Sequence, residues 1–507
     1  MKKQKINYIW GIAIACIMLI ESLVVFWEIR SLKVLPASYL AAAAAGLLIV
    51  DLIVYLLVRD FRKHVPFVIG ILLCFGMSVV CVMAVFYVRD ATSFYEEIAS
   101  DKTATTSVGV YVKASSKMSK LEEMKPEQKL GILESQDRET TETALKDIQK
   151  RTGQTFQTKA YAGVDQGIQG LEKDEVQVFL CNEAFFDIVK EMDGNENIAD
   201  RVKKMETLNV ESAPEETEET PSAQTQETGK EKQADAKEEK KEKRSFKVFI
   251  SGIDTRGEMT AKSLSDVNII AEINPETRQI LLVTTPRDYF VPLSISGGAQ
   301  DKLTHAGIYG IDVCVDTMEM LYDTQIDYYF RINFGGFVKV IDALGGITVQ
   351  SDYDFDSKNV RGYHFNKGAN AVDGEAALVF SRERYSFNEG DRQRGKNQLA
   401  VIQGVVQKMM SVEMLTNFSD ILDKVAGCFE TNIPYDTLAA LVKEQLADGG
   451  AWNIVGYSVT GSDSHQKPYS LSQSVYVMVP DQKTVDKAKS LMKKVEEGGI
   501  LSQEDAA

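Results

Sequence analysis

Residues 1–88 carry three apolar runs, Tyr8–Trp27, Pro36–Val58 and Pro66–Val88. Each is about 20 residues or slightly longer, enough for a helix to cross a hydrocarbon layer of about 30 Å. A cleaved leader carries a single apolar stretch of about 7–15 residues, so three runs predict retained membrane anchors. Everything after them must fold while tethered to a bilayer. Glu21 and Asp51 interrupt two of the runs. They are expected to face each other or lie near an interface, because nothing else in this region resembles a transport pathway. Lys2, Lys3 and Lys5 precede the first run, and Arg59, Arg62 and Lys63 separate the second from the third. Only Arg30 and Lys33 lie between the first and second. Cationic loops favour the cytoplasm, so the amino terminus is expected there and residues from about 90 onward outside. Cys181, Cys314 and Cys428 are widely spaced in that outer part and form neither a metal pattern nor a disulfide framework. They read as core thiols, in an outer region suited to a Gram-positive envelope.

The organisation that follows is a 1–90 anchor, a small α/β unit over 91–210, a charged linker over 211–245 and a main domain over 246–500. In the small unit "SVGVYVKA", "GILESQD" and "EVQVFLCN" read as strands and "RETTETALKDIQKRTG" as a helix closed by Gly153. No catalytic constellation is visible in it. Residues 211–244 contain no aromatic residue and no Ile, Leu or Val. Such a segment buries too little apolar surface to offset its chain entropy and reads as disordered.

In the main domain "FKVFISGID" reads as a buried strand, and "VNIIAEINPETRQILLVTTPRD" as a hairpin turning at "NPETRQ". Helical patterns at "GIDVCVDTMEMLYD", "FGGFVKVIDALGG", "GDRQRGKNQLAVIQGVVQKMMS" and "DQKTVDKAKSLMKKV" alternate with strand patterns at "IDYYFRIN", "NIVGYSVTG" and "SVYVMVPD". The stretch "EAALVF" reads as one more strand. The fold class is therefore α/β: helices on a central sheet, mixed because the hairpin is antiparallel.

Polar residues gather where these strands end: Asp254 and Arg256, Asp266, Arg287 and Asp288, and Lys302 and His305. After "EAALVF" comes "SRERYSFNEGDRQRGKNQ", with Arg382, Arg384, Arg392, Arg394 and Lys396. That is a dense group of cations for a chain of net charge −16. Ligands of open α/β sheets bind in crevices at strand ends. Guanidinium forks grip phosphate oxygens in bidentate fashion, so several facing one crevice call for a polyanion such as a pyrophosphate. With Glu383, Glu389 and Asp391 interleaved, a surface ion-pair network explains the same cluster. Asp254 and Asp266 flank one inter-strand connection; two aspartates can share a magnesium ion with phosphate oxygens, or simply cap turns. His305 reads as a structural or site-edge residue, with acid–base work near a leaving group as its other role.

The pieces "GIDTR", "SDVNIIAEINPETRQILLVTTPRD", "DKLTHAGIYG", "INFGGFVKVIDALGGITV", "VDGEAALVFSRERY" and "GDRQRGKNQ" resemble, in order and spacing, the LytR–CpsA–Psr (LCP) family of envelope phosphotransferases. The small α/β unit behind three anchors resembles its capsule-polymer branch. The resemblance implies transfer of a glycan polymer from an undecaprenyl-pyrophosphate lipid to peptidoglycan, with Mg2+ as cofactor. It implies magnesium-linked aspartates at Asp254 and Asp266, and pyrophosphate-binding arginines at Arg287, Arg382 and Arg384. Lys302, Asp391, Arg392, Arg394 and Gln398 fall at site-lining positions. Asp391 or Asp266 could accept the attacking hydroxyl's proton, although a metal-bound Asp266 would be a poor base. The lipid tail would enter an apolar tunnel, whose candidate walls are "IDVCVDTMEMLY", "FGGFVKVIDAL" and "YYFRIN". One departure stands out: Leu264 occupies a position where the family often has arginine, with Lys262 as a nearby substitute. Leu264 favours a second reading, a non-catalytic membrane-anchored binding or regulatory protein for lipid-linked glycans. Envelope-assembly proteins are further candidate partners. Nucleic acid is not, given the acidic charge and the lack of stacking aromatics among the arginines.

Overall fold

The computed structural model describes residues 2–59, 64–99, 105–134, 138–190, 192, 197–211, 245–253, 262–411, 425 and 427–506. The expected linker, from residue 212 to 244, lies outside them, as do Asp254 and Arg256.

The apolar runs form helices α1 (Lys2–Ser31), α2 (Ala37–Val58) and α3 (His64–Ala99). Their segments Ile12–Ser31, Ala37–Val58 and His64–Met83 are long and apolar enough to cross a membrane. Glu21 and Asp51 do not pair with each other. Ser78 Oγ of α3 donates to Glu21 Oε2 at 2.7 Å, and Ser22 Oγ of α1 donates to Asp51 Oδ1 at 3.0 Å. Each carboxylate thus serves as an interhelical hydrogen-bond acceptor, a use of polar groups that suits an apolar surround.

The small unit comprises β1 (Thr105–Lys113), β2 (Lys129–Leu133), α4 (Arg138–Thr152), β3 (Gln157–Tyr161), α5 (Val164–Glu172), β4 (Val178–Asn182), α6 (Glu183–Lys190) and β5 (Val202–Glu211). Its sheet has the order β3-β2-β4-β1-β5. The period-two alternation of β1 sends Val108, Val110 and Val112 to one face, against Ala144 and Ile148 of α4. Tyr111 points to the other, among α5 and α6. Gly153 closes α4 in the left-handed region, at φ +70°.

The main sheet is built on β6 (Phe246–Ile253), β7 (Ser265–Asn274) and β8 (Gln279–Thr285). β9 (Phe290–Pro292), β10 (Gln300–Lys302), a 3-10 turn at Leu303–His305 and α7 (Ala306–Tyr309) then lead to α8 (Ile311–Tyr322). β11 (Tyr328–Asn333) and α9 (Phe334–Ala343) follow. Short strands β12 (Ile347–Ser351), β13 (Phe355–Asp356), β14 (His364–Phe365) and β15 (Gly368–Val372) precede α10 (Gly374–Arg382) and α11 (Asp391–Met409). β16 (Phe429–Thr431) and β17 (Asn453–Ser458) complete the sheet, in the order β16-β11-β6-β7-β8-β17. The hairpin pairs β6–β7 and β7–β8 are antiparallel, whereas β11–β6 and β17–β8 are parallel. The sheet is mixed, as the hairpin pattern implied.

Strands covered on both faces alternate between two cores. Phe249, Ile270, Leu281 and Val283 meet Cys314, Met318 and Tyr322 of α8 and Val485 and Met492 of the last helix. Val248, Ile269, Ala271 and Leu282 meet Leu399 of α11 on the opposite face. The result is a three-layer α/β/α domain.

"EAALVF" is helical, not a strand. Asp373 caps α10 by accepting from the Ala376 amide at 2.8 Å. Gly374 packs so closely on α9 that a Cβ there would lie 2.3 Å from the Val338 carbonyl oxygen. Residues 377–381 are buried on nearly every side, among α9 and α11. A short apolar run buried all round carries no period that separates helix from strand.

Glu272 of β7 is fully buried and lies 3.0 Å from Lys247, its cross-strand partner on β6. Burial pushes its carboxyl up to about 7, although Lys247 opposes the shift. A raised folded-state value means that ionisation opposes folding. The penalty is absent where the carboxyl is protonated in both states, grows between the ordinary carboxylate range and about 7, and is constant above. Melting temperatures from pH 4.5 to 8 should therefore decline with pH more steeply for the protein than for Glu272→Gln.

Candidate active site

The hairpin register builds the first half of the site. Asn268 pairs with Thr285 in the last rung, and extending that register two steps places Asp266 opposite Arg287, just beyond the ladder. Arg287 Nη1 donates to Asp266 Oδ1 at 2.6 Å, and Thr304 Oγ1 donates to the same oxygen at 3.2 Å. Next door, Lys302 Nζ reaches Asp288 Oδ1 at 2.9 Å. Burial alone would raise the Asp288 carboxyl, but the Lys302 and Arg287 charges outweigh it and hold it below the usual range.

The second half follows α10. Glu383 turns the chain: it is fully buried and, among the described residues, pairs with no arginine. Instead it accepts from Ser357 Oγ at 2.5 Å and from the amides of Asn359, Tyr385 and Ser386 at 3.0, 2.9 and 3.1 Å. Burial works against its ionised form, yet these bonds hold its carboxyl below the usual range. The reading of Glu383 as part of a surface ion-pair network is thereby corrected. Arg382 and Arg384 flank this turn. The Arg382 guanidinium carbon sits 4.3 Å from the Phe334 ring centre, and Arg384 Nη2 donates to Tyr385 Oη at 2.6 Å.

The two halves face one cavity of about 590 Å³. Its walls include Asp266, Arg287, Lys302, Arg382, Arg384, Asp391, Arg394 and Gln398, residues from 266 to 398 in the chain. Asp391 pairs with Arg394 across one turn of α11. Arg392 is not on this wall; it donates to the Gly461 carbonyl at 2.9 Å and lines a second cavity of about 540 Å³. That cavity adds Thr284, Ser458, Thr460 and Lys396, and shares Asp266, Arg287, Asp391, Arg394 and Gln398 with the first. Lys396 is paired with Glu389 at 3.0 Å. The basic stretch thus divides between a cavity wall and local ion pairs.

Asp254 lies outside the described residues, among which no group of three metal-ligating side chains occurs. Asp266 Oδ2 accepts no hydrogen bond among the described residues, leaving one hard oxygen beside the arginines. That suits magnesium, which takes one or two carboxylates and fills its shell with phosphate and water oxygens.

Asp288, noted at a strand end, also belongs to this site, as do Thr304, Phe334, Asn359 and Tyr476, for which residue type alone suggested no role. Asp288 and Thr304 take their roles from contacts across loops, to Lys302 and Asp266. Tyr476 had no signal beyond its strand pattern; its hydroxyl donates to Asp463 at 2.9 Å. His305 is 2% exposed, 2.6 Å from Asp301 and 2.8 Å from Ser470, a structural position. Of the candidate tunnel walls, α8 places Cys314, Met318 and Tyr322 in the buried core on the face away from α11, where core packing accounts for them. On the α11 face, Ile250, Val267, Phe330 and Ile402 remain only partly buried, and Val267 also lines the first cavity.

The sequence pattern of the LytR_cpsA_psr family matches residues 213–494. The chain belongs to the LytR_cpsA_psr family. Among curated relatives, an Enterococcus faecalis protein named polyisoprenyl-teichoic acid–peptidoglycan teichoic acid transferase TagU is 36% identical over 198 residues, 39% of this LytR_cpsA_psr chain and 64% of that one. The TagU of Bacillus subtilis is 34% identical over 194 residues, 38% and 61% of the two chains. The matched region therefore spans less than two thirds of these relatives. The crystal structure of B. subtilis TagV superposes with a TM-score of 0.43 and 28% identity, covering 51% of this chain and 100% of that one. Protein gbs0355 of Streptococcus agalactiae gives 0.43 and 27%, covering 51% and 90%.

Leu264, where the LytR_cpsA_psr resemblance leads one to look for arginine, is 6% exposed and packs among side chains of the small α/β unit. Lys262 does not stand in for it at the cavity: its Nζ donates to Thr140 of α4 at 3.3 Å. The apolar residue at 264 is accounted for by packing against the small unit.

Proposed function

We propose that this protein transfers a glycan polymer from a polyprenyl-pyrophosphate carrier to peptidoglycan, the kind of reaction for which its TagU relatives are named. The observation that carries this reading is the convergence of Arg287, Lys302, Arg382, Arg384 and Arg394 on one cavity that also contains Asp266. Five cations around about 590 Å³ suit a diphosphate.

In this reading the guanidinium groups hold the diphosphate and stabilise the negative charge that grows on the departing lipid phosphate. An acceptor sugar hydroxyl attacks the phosphorus next to the donor sugar. The new O–P bond forms as the bond to the lipid phosphate breaks. In-line displacement needs nucleophile and leaving group on opposite sides. The second cavity, with its Thr284, Ser458 and Thr460 hydroxyls, suits the acceptor glycan. Asp391 lines both cavities, which supports it as the group that accepts the hydroxyl proton. Magnesium, held by Asp266 and Asp254, would neutralise phosphate charge when bound. With water as acceptor the same steps release free polymer, a pyrophosphatase side reaction. The lipid tail would follow the partly buried apolar side chains that begin at Val267.

The three apolar helices would anchor the protein, with both folded units outside the cell. Lys33, in the first loop, is 2.8 Å from Asp436, and the Tyr435 hydroxyl donates to the Leu32 carbonyl at 2.8 Å. These contacts support one common side for the first loop and the main domain, as the lysine and arginine bias requires.

Phosphate release from geranyl pyrophosphate by the full chain, with and without magnesium, tests the proposal. The expected result is magnesium-dependent turnover, lowered about 10²-fold or more in Asp266→Asn. Binding of the lipid without any turnover would overturn the catalytic claim.

A further inference from the structure

Among the described residues, the small α/β unit has two apolar cores, and one of them does not end at its own surface. Leu264, Ile308 and Leu471 of the main domain belong to the same buried cluster as Phe185 and Phe186 of α6. The Tyr309 ring stands edge-on to Phe185 at 5.7 Å. Polar contacts fix the seam: Asn182 Nδ2 donates to the Ile308 carbonyl at 3.4 Å, and the Ser472 amide donates to Asp165 Oδ1 at 3.2 Å.

Each main-domain contact connects, directly or through hydrogen bonds, to a cavity residue. Leu264 precedes Asp266 by two positions. Ile308 lies four positions after Thr304, whose hydroxyl bonds to Asp266 and whose amide donates to the Arg287 carbonyl at 2.9 Å. The Ser263 amide donates to the Gly307 carbonyl at 3.1 Å, tying these two segments together. A Cβ on Gly307 would come within 2.2 Å of the Ser263 carbonyl oxygen, so the segments touch backbone to backbone. Leu471 follows Ser470, whose amide donates to Asp301 Oδ2 at 2.8 Å. Asp301 Oδ1 in turn accepts from the Lys302 amide at 2.7 Å and holds His305.

We propose that the small α/β unit is a positioning domain for the diphosphate cavity, with Leu264 its principal positioning residue: by seating on Leu264, Ile308 and Leu471 it sets the segments that carry Asp266, Thr304 and Lys302. The inference rests on the reading of that cavity as a diphosphate site. A loop that displays a phosphate ligand needs outside support to hold it in one place, and a packed apolar seam supplies that support without adding charge near the anion. This accounts for leucine at a position next to a cluster of cations.

Calorimetric binding of geranyl pyrophosphate to the full chain in detergent tests it. In Leu264→Ala the dissociation constant is expected to rise at least about fivefold with unchanged stoichiometry, because every molecule binds but with its cavity wall displaced. Leu264→Met should restore wild-type affinity. Asp165→Asn, across the seam and away from the cavity, should weaken binding in the same direction by a smaller factor, and it decides the matter if Leu264→Ala does not fold. Wild-type affinity in Leu264→Ala and Asp165→Asn, or a fall in stoichiometry at wild-type affinity, would show a seam that only stabilises, and the positioning role would be lost. Absence of binding by the wild-type protein would instead overturn the diphosphate reading on which the role depends.

Discussion

Arg382→Ala is expected to lower polymer transfer by about 10²–10³-fold, the usual cost of removing a group aimed at developing charge. Loss of its stacking on Phe334 should cost about 1 kcal/mol of stability, far less than the loss in transfer. Arg382→Lys should recover little, since an ammonium cannot reproduce a planar fork seated on a ring. Polymer attachment in cells carrying the variant, with melting of the purified protein as control, checks both parts. Normal attachment would mean that Arg382 does not touch the reacting phosphate.

Glu383→Ala should be the most damaging single change in the site that touches no substrate. It deletes the acceptor for three amides and a hydroxyl in a buried turn. Leaving those donors unsatisfied should cost about 2–4 kcal/mol. Arg382 and Arg384 would lose their common support, so transfer should fall as well, even at temperatures where the variant stays folded. Glu383→Gln keeps one oxygen and should do less harm. Because the folded carboxyl is held below its usual range, its stabilising contribution is complete above the ordinary carboxylate range near pH ~4.3 and fades as pH drops through the lower folded value. Melting temperatures of the three proteins between pH 3 and 7 measure this directly: the gap between wild type and Glu383→Ala should narrow as the solution becomes more acidic.

Much of the fold could be read from periodicity. The three anchors, the hairpin at "NPETRQ" and the late helix at "DQKTVDKAKSLMKKV" each carry an unambiguous local pattern, and each forms as expected. α10 did not, because "ALVF" is apolar at every position and only its Asp373 cap marks it as a helix. At the site, residue type was informative and partnership was not. Clustered arginines raised the question of an anion, but the sequence could not say that Glu383 binds amides while Asp391 binds Arg394. Leu264 shows the limit most plainly. Judged from its neighbours it is a missing cation; its environment comes from Phe185 and Phe186, almost 80 positions away, and no local pattern encodes that contact.

The turn between β7 and β8 spans residues 275–278, with Arg278 in the left-handed region at φ +52°. The Asn274 side chain accepts from the amides of Glu276 and Thr277 at 3.1 and 3.2 Å, and donates to the Val495 carbonyl at 2.8 Å. Asp266 lies nine residues before the start of that turn, roughly 30 Å along an extended strand. Adding or deleting one residue there would slide one strand past the other and send every side chain of one strand to the opposite face, breaking the match between Asp266 and Arg287. Natural length variation at this bend should therefore be rare wherever the chemistry is kept, and a hairpin tip far from any substrate becomes as intolerant of insertion as the cavity wall.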